Sequence, residues 1–139
     1  MRELTNLFKA LSDESRLRIL NLIANAGELC VCDIEHTLGF TQTKVSRHLT
    51  YLKHAGLVND RRAGLWVLYS LSDTSQKQHI RLMKELKDIL NLHPILQEDI
   101  KRLKKAIKKG NCTTVSVILP SISSPADLPR RKLAKVTSK

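Results

Sequence analysis

Two thiols separated by one residue, in Leu29-Cys30-Val31-Cys32-Asp33, carry the most distinctive chemistry in the chain. Thiolate sulfur is a soft donor and selects soft or thiophilic ions over hard ones. Cys30 and Cys32 are therefore candidate ligands for such an ion. The third cysteine, Cys112, lies far along the chain and is a secondary candidate. Two other readings of the pair are a redox-responsive couple and two small buried apolar side chains. A Cys-x-Cys disulfide is strained, which counts against the first of these. Inside a helix, neighbours two apart diverge by about 200°. If residues 30–32 are helical, one ion can hold both sulfurs only by pulling the helix start out of regular geometry.

The elements around the pair follow from apolar spacing. "LTNLFKALS" reads as a short helix with Leu4, Phe8 and Leu11 on one side. Ser12 is placed to cap a second helix through "ESRLRILNLIANA", whose stripe includes Leu17, Leu20 and Ala24, with Gly27 as its stop. A third helix covers "CDIEHTL" and ends at Gly39, with Asp33 serving its start rather than an ion. Thr41 caps a fourth helix, "QTKVSRHLTYLKHA". Val45, Leu49 and Leu52 bury one side of it, and His48 lies near that stripe as a packing residue. The other side is polar. The third and fourth helices joined by "LGFT" form a helix-turn-helix.

The period then changes. Residues 58–62 and 65–71 read as strands joined at Ala63-Gly64, a hairpin wing. "DTSQKQHIRLMKELKDILNLH" resumes helical spacing with Leu82, Leu86 and Ile89 in line, which points to a dimer helix. Pro94 opens "ILQEDIKRLKKAIKK", which either lengthens the dimer surface or packs back on the domain. The expected class is mainly α with a small β-hairpin: a winged helix-turn-helix, dimeric through its terminal helices. Three regions follow: 1–92 for DNA binding and dimerisation, 93–109 as a C-terminal amphipathic helix, and 110–139 as a basic, flexible tail.

Charge is unevenly spread over the 139 residues, whose net charge is +11. Residues 1–100 hold 13 basic against 12 acidic residues, while 101–139 hold 11 against one. Within the neutral part, 44–62 carries five basic residues against Asp60, the footprint of a polyanion surface. In the helix-turn-helix, Gln42, Thr43, Ser46 and Arg47 are candidates for the major groove, with Lys44 at a flank or on phosphate. Arg61 and Arg62 are the wing candidates. The expected partners are double-stranded operator DNA and a second copy of the chain. No apolar run approaches the roughly 18 residues of a membrane span. An odd cysteine count without a disulfide framework fits a reducing cytoplasm. No Cys/His/Asp constellation or glycine-rich phosphate cradle supports an enzyme.

"ALSDESRLRILNLI", "ELCVCDI", "TQTKVSRHLTYLKHAGLV" and "RRAGLWVLYSL" together resemble the ArsR/SmtB winged-helix repressors, over residues 3–90. "ELCVCDI" resembles the arsenic-responsive branch. The resemblance implies a dimeric repressor, needing no resident cofactor, that leaves its operator when it binds trivalent arsenic or antimony as inducer. It implies Cys30 and Cys32 as the first two thiolates. Where many members place a third cysteine this chain has Glu35, so the third place is open to Cys112, water or a small thiol. The dimer-helix zinc pattern is absent, because Lys77 precedes His79 and Leu96 follows His93 at the required spacings. A thiol redox-responsive or Cd(II)/Pb(II)-responsive repressor of the same fold is the alternative.

Overall fold

The structure is a computed structural model that describes residues 1–73 and 76–109. Helix α1 (Arg2–Leu11) turns Leu7 and Ala10 into the core, and Phe8 is exposed. Phe8 was expected on the inner side, but the stripe at three- and four-residue spacing is Leu4, Leu7 and Leu11, which leaves Phe8 outside it. Helix α2 (Glu14–Ala26) begins at Asp13, not Ser12. The Asp13 carboxylate accepts from the Arg16 N–H at 3.0 Å, while the Ser12 hydroxyl closes α1 by donating to the Lys9 carbonyl. Gly27, at φ 86, ends α2 in a conformation that favours glycine.

Strand β1 (Glu28–Cys30) was not expected. It is three residues long, too short for an alternating pattern to show, and exists by antiparallel pairing with β3 (Trp66–Leu71). Helix α3 (Val31–Leu38) follows without a break and stops at Gly39 in the left-handed region. Helix α4 (Gln42–His54) is capped by the Thr41 hydroxyl, which accepts from the Lys44 N–H at 3.2 Å. Strand β2 (Val58–Ala63) pairs with β3, giving the sheet order β1-β3-β2. The hairpin turns on Gly64-Leu65, one residue later than expected. Gly64, at φ 62, takes the first turn position, where a two-residue hairpin requires positive φ.

Helix α5 (Lys77–Leu90) is only partly covered. Leu82, Met83 and Leu86 meet the core edge while Ile80 and Ile89 face outward. Helix α6 (Pro94–Lys108) packs back on α2 and α3, settling the alternative left open by its sequence. Leu96, Leu103, Ala106 and Ile107 enter the interior. The core gathers Ile19, Leu20 and Ile23 of α2, Ile34 of α3, and Val45, Leu49 and Leu52 of α4 around Leu29 and Val58. The architecture is a winged helix-turn-helix, with α3 and α4 as the paired helices and β2–β3 as the wing. Residues 110–139, including Cys112, lie outside the described residues. No helix among the described residues is long and apolar enough to cross a membrane.

Candidate functional site

Strand β1 delivers Cys30 to the start of α3. Cys30 is the N-cap, with extended backbone at φ −88, ψ 167, and so stands outside the helix. Cys32 is the second helical residue. The divergence of two helical neighbours therefore does not apply, and the two Sγ atoms lie 2.8 Å apart in hydrogen-bond contact. This corrects the expectation that an ion must unwind the helix to reach both sulfurs, because the change from strand to helix already brings them together.

Asp33 completes a reciprocal cap. Its N–H donates to the Cys30 Sγ at 3.4 Å, and its carboxylate accepts from the Cys30 N–H at 3.4 Å. Cysteine here takes the part usually played by serine or threonine in a capping box. The Cys30 sulfur, the Cys32 sulfur and an Asp33 oxygen all lie within 4.8 Å of one another. Cys30 and Asp33 are buried, and half-buried Cys32 gives the cluster its access to solvent. The hydrogen bond from Cys30 lowers the Cys32 thiol below its ordinary value, against opposing contributions from burial and from the Asp33 and Glu35 charges. More thiolate at neutral pH means a better soft-metal ligand.

On α4, Gln42, Thr43 and Arg47 are exposed at the first two turns, with Lys44 and Ser46 half-buried beside them. The Lys44 ammonium lies 3.9 Å from the centroid of the Phe40 ring. Behind this face His48 is buried, as its position near the apolar stripe suggested. Burial pushes its imidazole below the ordinary value, partly opposed by the Asp13 charge. On the wing Arg62 is exposed, whereas the Arg61 guanidinium binds Glu28 through two bonds, at 2.5 and 2.7 Å. Glu28 is two residues before Cys30, so this pair ties the wing to the strand that carries the thiol.

Sequence reasoning missed Glu28 and the buried pair of Arg18 and Asp99. Arg18 holds Asp99 through two bonds of 2.9 Å, and the Asp99 side chain is 1% exposed. The Asp99 carboxylate raises the Arg18 guanidinium above its ordinary value. A signal existed: Asp99 sits on the apolar side of α6, three residues after Leu96 and four before Leu103.

Residues 13–60 match the family model described as bacterial regulatory protein, arsR family. The chain is 50% identical over 74 residues to the arsenic resistance transcriptional regulator ArsR1 of Pseudomonas putida, covering 51% of this chain and 58% of that protein. The match thus spans little more than half of that relative's length. An uncharacterised HTH-type transcriptional regulator of Methanocaldococcus jannaschii is 44% identical over 80 residues, covering 58% of this chain and 90% of that one. Among solved structures, the homodimeric winged helix-turn-helix DNA-binding domain of a possible ArsR-family regulator from Mycobacterium bovis aligns at a TM-score of 0.55 and 31% identity, over 67% of this chain and 82% of that one. The helix-turn-helix, the wing and the thiol-bearing strand agree with these similarities: the chain belongs to the arsR family of bacterial regulatory proteins, on the branch of its arsenic-resistance members.

Proposed function

We propose that this chain is a metalloid-responsive transcriptional repressor, which binds operator DNA as a homodimer and releases it when As(III) or Sb(III) binds Cys30 and Cys32. The observation that carries the reading is the pair of sulfurs 2.8 Å apart at the first residue of the helix-turn-helix. Arsenous acid meeting the two thiols forms two As–S bonds and loses two hydroxyls, which leave as water with the thiol protons. One hydroxyl remains, or is exchanged for a further donor.

The coupling to DNA follows from the cap. Two sulfurs on one ion, with bonds of about 2.3 Å, stand roughly 3.5 Å apart, further than they are here. Cys30 Sγ also surrenders its lone pair to the ion and weakens its bond from the Asp33 N–H. The start of α3 loosens, and α3 is the helix against which α4 is set. A small tilt of α4 in each subunit takes two reading helices out of register with successive grooves. Gln42, Thr43, Ser46 and Arg47 would read base edges, with Lys44, Arg61 and Arg62 on phosphate. Arg61 would do so by leaving Glu28. The uncovered side chains Phe8 of α1 and Ile80 and Ile89 of α5 supply an apolar face for a second copy.

The test is a DNA-release titration against arsenite, antimonite, cadmium, zinc and hydrogen peroxide, with sulfur-to-ion stoichiometry measured alongside. Release by arsenite and antimonite at two protein sulfurs per ion is expected. Release by peroxide alone, or by cadmium alone, assigns the site to another signal.

A further inference from the structure

The face of α6 turned to solvent carries Lys101, Arg102, Lys104, Lys105, Lys108 and Lys109, all exposed, against the single exposed acid Glu98. Its placement gives this charge a direction. Asn21 of α2 donates to the Leu96 carbonyl at 3.4 Å, and Arg18, three residues earlier in α2, holds Asp99, three residues later in α6. The two helices therefore run in opposite senses, and α6 advances toward the N-terminal end of α2. That end lies beside the reading helix. The Arg18 guanidinium is 5.2 Å from the Phe40 ring, Lys44 of α4 lies over the same ring, and Arg16 stacks 4.1 Å over Tyr51 of α4.

Beyond Asp99, α6 continues for about 15 Å, whereas α2 has only about 6 Å left before its first residue. The last turns of α6 thus overhang the end of the domain at which α4 presents its polar face. Leu103, Ala106 and Ile107 anchor those turns in the core, so the lysines stand on a fixed helix.

We infer that the C-terminal half of α6 is a second phosphate-binding element, which grips the DNA backbone beside the stretch read by α4. The inference rests on the DNA-binding reading and adds to it a surface outside the helix-turn-helix and wing. An ordered row of cations meeting a polyanion releases counterions, so each contact steepens the fall of affinity with salt. Phosphate contacts carry no sequence information, so this element serves all duplexes alike.

The experiment compares the full chain with the variant Lys104→Gln/Lys105→Gln/Lys108→Gln and with the charge-keeping variant Lys104→Arg/Lys105→Arg/Lys108→Arg. Each is titrated across a salt series with a duplex that the unsubstituted chain selects from a randomised pool, and with a scrambled duplex of the same composition. The glutamine variant is expected to lose about tenfold or more in affinity for both duplexes and to flatten the slope of log K against log salt by about 2. The arginine variant is expected to keep both, and thermal melting is expected to be the same in all three. Unchanged affinity and slope in the glutamine variant overturn the inference, as does a weakened dimer with an intact slope. With Arg47→Ala as a parallel arm, loss of selectivity there beside an unaffected glutamine variant overturns only the α6 contact. Failure of the unsubstituted chain to bind any duplex overturns both readings.

Discussion

Cys30 has two tasks: its sulfur accepts the Asp33 N–H that caps α3, and it is a proposed ligand. Substitution separates them. Serine is a good N-cap, so Cys30→Ser is expected to keep stability and DNA binding while losing the response to arsenite. Cys30→Ala removes the cap as well and is expected to cost about 1 kcal/mol in urea unfolding. Equal stabilities of the two variants would show that the sulfur does not cap. The presence of two thiols was legible in the sequence, because spacing alone singles them out. Their convergence was not, because it depends on Cys30 belonging to β1 rather than α3. A three-residue strand has no pattern of its own and is fixed only by its partners Leu68, Tyr69 and Ser70.

At the scale of elements, the helix-turn-helix and wing were readable from apolar period, caps and glycine punctuation. The boundaries moved by a residue where a cap was shared, at Ser12 and Asp13, or where the turn type chose the glycine, at Gly64. The docking of α6 was not readable, since an amphipathic helix fits a partner subunit as well as its own domain. Asp99 decides it. A buried carboxylate held by Arg18 fixes one register of α6 on α2, and removing one partner strands a charge in the interior. Arg18→Met is expected to destabilise the chain by about 3 kcal/mol in urea unfolding. The double substitution Arg18→Met/Asp99→Leu is expected to recover most of that loss, since an apolar pair can replace a buried ion pair. A loss of less than about 1 kcal/mol in the single variant would mean that Asp99 has reached water and α6 is not clamped.

At the scale of the molecule, stability and regulation meet in α4. His48 is held neutral by burial, with its folded value below the ordinary 6.5. Above that value both folded and unfolded states are neutral there and the group contributes nothing. As pH falls through about 6.5 the unfolded chain takes up a proton that the folded chain refuses, so stability falls. His79, also lowered by burial, acts in the same sense. Melting temperature is expected to drop between about pH 7 and pH 5, and to drop less in His48→Gln/His79→Gln. An equal drop in that variant would place the acid sensitivity elsewhere. The central claim is that a soft ion captured at the cap of α3 reaches the DNA-reading face of α4. Its most direct measurement is operator affinity with and without arsenite, for the unsubstituted chain, Cys30→Ser and Cys32→Ser. Arsenite is expected to release DNA from the unsubstituted chain and to leave both variants bound. Full release from both variants, or an ion held by both sulfurs with operator affinity unchanged, would contradict it.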